Sequence, residues 1–268
     1  MFWDNHMHSN FSGDSETEPL DMINTARAKG LRGITFTDHL DLYYPTEYGF
    51  FDLDLENYYP SQHALAMEQS DKSFTVLTGI EVGIQKNAAG ENNTIVENHP
   101  YDFVIGSTHL IYGKDPYFDS TWEGQDPTEL MRRYYECILD NMNTYMNFDS
   151  AGHLDYAFRY AKDSEFKNNT YKPYKDVVDA ILEKLVKNDK ALEVNTAALR
   201  KGMNNPNPAT DIIKRYKELG GKLITIGADA HQPSDIAADF DKLPSLLKEC
   251  GFNEYVVYKA RKPEAYPL

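Results

Sequence analysis

The eight histidines of this 268-residue chain are not scattered: six of them fall at or near the C-terminal end of a short apolar run. His6 and His8 follow Met1-Phe2-Trp3, His39 follows Ile34-Thr35-Phe36, and His109 follows Phe103-Val104-Ile105-Gly106. His153 follows Phe148-Asp149-Ser150-Ala151-Gly152, and His231 follows Leu223-Ile224-Thr225-Ile226-Gly227. Parallel α/β folds build their sites at the C-terminal ends of their strands. A histidine kept only for packing has no reason to recur there. The pattern points to imidazoles converging on one face of a parallel sheet or barrel.

The intervening segments agree with that reading. Strands are expected over residues 1–5, 32–37, 75–84, 103–107, 148–152, 191–195 and 222–227. Several are near-continuous apolar runs, as strands covered on both faces should be. Helices are expected over 19–29, 55–69, 128–146, 174–188, 209–219 and 233–249. Pro19 opens the first and Gly30 follows it, which are ordinary start and stop signals. Alternating strand and helix implies a parallel sheet with right-handed crossovers, and about seven strands allow closure into an α/β barrel. The chain shows no repeat, low-complexity tract or interdomain linker, so one domain over 1–268 is expected. Residues 43–54 and 115–126 lack a clear pattern and are rich in aromatic and acidic side chains, a combination that fits loops over a site.

Composition narrows the function. A net charge of −15 argues against a nucleic-acid partner, which needs a positive surface. It leaves room for a small phosphorylated substrate, because bound cations reverse the local field. Cys137 and Cys250 lie far apart without ligand spacing and read as buried or semi-buried thiols. No apolar run approaches the roughly 20 residues that cross a bilayer. Neither a basic region nor an apolar signal core opens the chain, so a cytoplasmic location is expected.

His6-Met7-His8 places two imidazoles on one face of a strand, within reach of one ion. Asp229 and His231 repeat the spacing with mixed ligands. Glu81 is a lone carboxylate inside the apolar strand 75–84, where it needs either a salt-bridge partner or a metal. With six imidazoles nearby, the metal is the better account, and a carboxylate can bridge two ions. Asp38 either bonds the ring of a liganding histidine or caps the next segment. Asp14, taken alone, is a solvated or capping carboxylate. His63 and His99 read as surface or structural. The nitrogen and oxygen donors exceed the needs of one four-coordinate ion and suit two or three Zn²⁺, Mn²⁺ or Fe²⁺ ions.

In order and spacing, His6-x-His8, Thr37-Asp38-His39, Glu81, His109, His153 and Asp229-x-His231 resemble the polymerase-and-histidinol-phosphatase (PHP) superfamily of metal phosphoesterases. The resemblance runs from the first expected strand to the last. It implies a distorted (β/α)7 barrel with a trinuclear centre. One ion would be held by His6, His8, Glu81 and Asp229, a second by Glu81, His109 and His153, and a third by Asp14, His39 and His231. Many members carry another histidine where this chain has Asp14; an aspartate there resembles the histidinol-phosphatase branch. The segments from Gly152 to Tyr160 and from Leu192 to Lys201 resemble that branch too.

The expected activity is hydrolysis of L-histidinol phosphate to L-histidinol and phosphate. Hydroxide held between the ions would attack phosphorus in line. Arg159 and Arg200 follow site strands and would bind phosphate oxygens, unless they serve as surface salt bridges. Asp229 or His231 would pass a proton to the leaving alkoxide. Three rivals remain: a phosphoesterase of the same superfamily acting on another small metabolite or nucleotide, an amidohydrolase-type barrel, and a non-catalytic metal-binding protein, which added Mn²⁺ in a phosphatase assay would separate. A homo-oligomer is left open.

Overall fold

The protein is described from a computed structural model that covers residues 1–49, 51 and 53–268. The strands are β1 (Trp3–Met7), β2 (Gly33–Phe36), β3 (His39–Leu40), β4 (Thr75–Gly83), β5 (Phe103–Ser107), β6 (Ser150–Ala151), β7 (Ala191–Asn195), β8 (Ile224–Gly227), β9 (Glu254–Lys259) and β10 (Lys262–Pro267). Parallel pairing runs β1-β2-β4-β5-β6-β7-β8, with β3 set beside β4. A parallel bridge between Met7 and Ala230 brings the last strand back to the first. The His8 amide donates to the Ala230 carbonyl at 2.8 Å and the Asp229 amide to the His6 carbonyl at 2.9 Å. The result is the distorted (β/α)7 barrel that the sequence implied.

Helices cover the outside of the barrel because one stripe of each is apolar. In Pro127–Thr144, Leu130, Met131, Tyr134, Tyr135, Ile138 and Met142 are buried at helical spacing. Asp126 caps that helix by accepting from the amides of Thr128 and Glu129, and Pro127 stands where no amide proton is needed. Lys175–Lys187 buries Val177, Val178, Ile181, Leu182 and Leu185 in the same manner. Burying each such aliphatic side chain contributes about 1.5–3 kcal/mol. Cys137 and Cys250 are both buried and unpaired with each other.

Several elements depart from the sequence reading. The first strand lies at Trp3–Met7, two residues later than expected, so His6 stands inside it. The helix Ala89–Asn98 was not foreseen. The long helix expected over 233–249 reduces to Leu243–Glu249, preceded by short 3₁₀ turns at Pro233–Asp235 and Phe240–Lys242. Tertiary hydrogen bonds claim the intervening backbone: the Ala237 amide donates to Asp4 Oδ2 at 2.8 Å, and the Thr196 hydroxyl donates to the Ala238 carbonyl at 2.8 Å. Ala237 and Asp239 adopt left-handed φ of 49° and 63°, which no helix tolerates.

The antiparallel hairpin β9–β10 was also unforeseen. Its turn uses Ala260 and Arg261 at φ 47° and 63°, without the Asn-Gly or Asp-Gly signature that betrays such turns. The hairpin lies against the N-terminal ends of the barrel strands. Tyr258 stacks on Phe103 at 5.3 Å, the Arg261 amide donates to the Asp102 carbonyl at 2.9 Å, and Tyr255 Oη accepts from the Trp3 amide at 3.1 Å. It thereby covers the end of the barrel opposite the histidines.

Gly227 is required by the closure of the barrel. A Cβ there would run into the Cβ of His6 and lie 2.9 Å from Glu193 Oε1. Gly90, by contrast, lies in a helix with nothing within 4 Å of a built Cβ. Gly227→Ala is expected to destabilise by about 1–3 kcal/mol through overpacking. For a domain of this size that is a fall in Tm of roughly 2–10 °C. Gly90→Ala should instead hold or raise Tm. Thermal unfolding of the two variants checks the contrast, and an unchanged Tm for Gly227→Ala would remove the steric argument.

Candidate metal centre

Each donor except Asp14, which lies in the loop after β1, is delivered by a strand or its end. His6 lies in β1 and His8 just beyond it, His39 begins β3, and Glu81 lies in β4. His109 follows β5, His153 follows β6, and Asp229 and His231 follow β8. Asp229 adopts a left-handed φ of 54°, a conformation that aspartate enters more readily than most residues. His6, His8 and Glu81 have no solvent exposure at all, whereas the Asp14 side chain is 40% exposed at the rim.

The separations among the donor atoms are those of a ligand shell. His6 Nε2 lies 3.1 Å from His8 Nε2 and 3.3 Å from Glu81 Oε2, and His8 Nε2 lies 3.6 Å from Glu81 Oε2. Asp229 Oδ1 stands 3.8 Å from His6 Nε2 and 3.5 Å from His8 Nε2. Four atoms about 2.1 Å from one ion at tetrahedral angles stand about 3.4 Å apart. The other oxygen of Glu81, Oε1, faces His153 Nε2 at 2.9 Å and His109 Nε2 at 3.3 Å. One carboxylate therefore addresses two groups of imidazoles. At the rim, Asp14 Oδ2 lies 3.1 Å from His231 Nε2 and 3.7 Å from His39 Nε2. The rings of His39 and His231 stack on that of His8 at 4.2 and 4.0 Å.

Two ring nitrogens on the far side of the cluster, Nδ1 of His6 and Nδ1 of His109, are held by carboxylates that the sequence reading did not single out. Glu193 Oε1 lies 2.5 Å from His6 Nδ1, while its Oε2 accepts from the His153 amide at 2.7 Å. Asp41 Oδ1 lies 2.8 Å from His109 Nδ1, and its Oδ2 3.4 Å from His39 Nδ1. Such partners fix the orientation and tautomer of a liganding imidazole. Both carried a signal. Glu193 is a lone carboxylate in an apolar strand, as Glu81 is, and Asp41 stands two residues beyond His39. Asp38 bonds no imidazole directly. It accepts instead from the Ser9 amide and hydroxyl, the Ser12 hydroxyl and Gln62. His63 and His99 stack on Tyr59 at 5.3 and 4.7 Å, away from the cluster.

The electrostatics call for cations. Burial would drive Glu81 toward its neutral form, but His6, His39 and His109 hold its carboxyl well below the usual carboxylate range. Burial likewise disfavours charge on His109, but Asp41 and Glu81 overcome it and raise the ring to about 10. His8 goes the other way, held down at about 3 by burial and then by His231 and His39. Glu81 Oε2, His109 Nε2, His39 Nδ1 and His231 Nε2 are buried without a well-formed hydrogen bond. Each unmade bond of that kind costs about 1–3 kcal/mol. Lone pairs of nitrogen and oxygen gathered on one space, with their other atoms held from behind, fit divalent transition ions.

Above the cluster opens a cavity of about 560 Å³, lined in part by Arg159, Arg200 and the two long loops. Arg159 is buried, and all three of its nitrogens are engaged: Nε with Asn207 at 2.5 Å, Nη1 with Asp229 Oδ2 at 3.0 Å and Nη2 with Asn195 at 2.9 Å. Arg200 gives Nη2 to the Ala228 carbonyl at 2.8 Å, and its Nη1 is buried without a partner. The two loops meet over the cavity, where Tyr44 donates to Asp115 and Tyr48 stacks on Phe118 at 4.7 Å. They carry short helical turns at Thr46–Tyr48 and Asp119–Trp122, which the sequence reading did not expect. Phe50 and Asp52 of the first loop lie outside the described residues.

Comparison with known proteins places this geometry. The profile of the PHP domain matches residues 4–197. The histidinol-phosphatase of Lactococcus lactis is 34% identical over 265 residues, covering 97% of this chain and 95% of that one. The probable histidinol-phosphatase of Clostridium acetobutylicum is 32% identical over 252 residues, covering 93% and 94%. The crystal structure of a histidinol phosphate phosphatase from Lactococcus lactis, complexed with zinc, L-histidinol and phosphate, is similar with a TM-score of 0.88 at 32% identity over 98% of both chains. The fold is shared with a putative histidinol phosphatase from Listeria monocytogenes, at a TM-score of 0.74 and 16% identity. With the family profile matching residues 4–197 and these relatives spanning nearly its whole length, the chain belongs to the PHP domain family.

Proposed function

We propose that the chain is a cytoplasmic, metal-dependent phosphatase that hydrolyses L-histidinol phosphate to L-histidinol and phosphate. The observation that carries this reading is a single cavity with three chemically distinct walls. Its floor is the His/Asp/Glu cluster, one side carries Arg159 and Arg200, and the opening carries aromatic rings and Asp115. A phosphate ester suits the floor and the arginines. A flat, cationic tail suits aromatic faces beside a carboxylate. The likeness to a protein whose structure holds zinc, L-histidinol and phosphate supports the same substrate.

Divalent ions in such a site lower the pKa of water toward about 7 and neutralise charge on the phosphoryl oxygens. His6, His8, Glu81 and Asp229 would hold one ion, Glu81, His109 and His153 a second, and Asp14, His39 and His231 a third. Glu81 would serve both of the first two, because its two oxygens face different imidazoles. Arg200 offers its unpartnered Nη1 to a phosphoryl oxygen. Arg159 acts on phosphate from a position where it already braces Asp229. Asp229 or His231, two residues apart just beyond β8, would pass a proton to the leaving alkoxide.

After reconstitution with Zn²⁺ or Mn²⁺, elemental analysis should give two to three ions per chain, and phosphate release from L-histidinol phosphate should exceed that from other phosphorylated metabolites and nucleotides. A reproducible value of one ion or none sinks the multinuclear arrangement, and faster release from another ester transfers the substrate assignment to it.

Glu81→Ala removes the carboxylate shared between two groups. Activity should fall by several orders of magnitude together with metal content, and near-normal turnover would make Glu81 structural.

Arg200→Lys should lower kcat/KM for L-histidinol phosphate by roughly tenfold to a hundredfold with bound metal unchanged, as expected for loss of a charged hydrogen bond of about 1.5–3 kcal/mol. Arg159→Lys should lower kcat/KM and metal content together, since the same side chain braces Asp229. Unchanged kinetics in both variants would overturn the phosphate-binding role.

A further inference from the structure

The loop after β1 carries Ser12, which is 3% exposed and has no part in the ligand sets described above. Its Oγ lies 2.9 Å from Asp38 Oδ1, 3.0 Å from His8 Nδ1 and 3.1 Å from the His39 amide nitrogen. A hydroxyl has one proton to give and two lone pairs. These three neighbours use all of them.

The direction of each bond follows. Asp38 is surrounded by donors, namely the Ser9 amide at 2.6 Å, the Ser9 hydroxyl at 2.9 Å and Gln62 Nε2 at 3.2 Å. The other neighbours of both Asp38 oxygens, the Ser9 amide, the Ser9 hydroxyl and the Gln62 side-chain amide, are placed to donate to them, so these oxygens accept and the Ser12 proton points to Asp38. The His39 amide only donates, and it takes one lone pair of Ser12. The second lone pair is left for His8 Nδ1, which must therefore carry a proton. A neutral ring protonated at Nδ1 has its lone pair on Nε2. That nitrogen is the one facing His6 Nε2, Glu81 Oε2 and Asp229 Oδ1. Were Ser12 to donate to His8 instead, two lone pairs would face each other across 2.9 Å at Asp38, and an N–H would point into the donor cluster.

We propose that Ser12 is a positioning residue of the metal centre: its hydroxyl, polarised by Asp38, fixes His8 in the tautomer that ligates through Nε2. The same oxygen ties His8 to the backbone of His39, so ligands from two strands share one anchor. The inference rests on reading the cluster as a metal centre and is independent of the substrate.

Two measurements on the full-length, metal-free protein test it. Long-range proton–nitrogen spectra of the histidine-labelled chain should show His8 protonated at Nδ1 and bare at Nε2. Titration with Co²⁺, followed by its visible absorption, should show Ser12→Ala binding roughly 10–100-fold more weakly at one site, the usual effect of losing a partner behind a ligand. Ser12→Thr, which keeps the hydroxyl, should bind close to wild type. A wild-type His8 protonated at Nε2 overturns the proposal without any variant, which covers the case of an alanine variant that does not fold. Unaltered cobalt affinity in a folded Ser12→Ala overturns it as well. A wild-type chain that binds no cobalt defeats the metal reading itself, whereas one that binds cobalt but spares L-histidinol phosphate defeats the substrate reading and leaves Ser12 in place.

Discussion

A carboxylate wholly removed from water, inside a strand whose neighbours are Ile80 and Val82, survives only where positive charge meets it. Glu81 is met from several directions: His6 and His39 approach Oε2, and His109 and His153 approach Oε1. Those rings come from β1, β3 and the ends of β5 and β6, so satisfying one charge requires several strands to end at the same level. The parallel barrel supplies that arrangement. The carboxylates behind the rings, Asp41 and Glu193, add negative charge to a place already rich in it. Carboxylates and imidazoles gathered in this way form a receptacle for cations.

The histidines were legible because a strand end is a local feature that apolar runs mark well. Glu81 was legible because an apolar strand makes a lone carboxylate conspicuous, and Glu193 carried the same mark without being read. What could not be read was whatever depends on distant partners. Residues 237–239 have helical composition, yet Asp4 and Thr196 take their backbone into irregular turns. The hairpin turn at Ala260 and Arg261 uses ordinary residues in left-handed conformations, so its sequence is silent. Ser12 gave no sign either, since its importance lies in three bonds made to residues on two other segments.

The two ends of the barrel obey different rules. At the N-terminal end, β9–β10 covers the strands with aromatic packing and backbone hydrogen bonds, and Arg261 adds a close ion pair to Asp149. At the C-terminal end the backbone is irregular, the side chains are charged, and the long loops meet over a cavity. Stability and chemistry are thereby separated along the axis of one sheet, which lets the reactive end carry unpaired lone pairs that the remainder of the fold compensates.

The bridge between Met7 and Ala230 gives the molecule a particular history. His6 and His8 leave the ribosome more than two hundred residues ahead of Asp229 and His231, which complete the same cluster. Chains grow at about 5–20 residues per second, so the early histidines wait for at least ten seconds or so before their partners exist. The cluster is thus complete only once the ring closes.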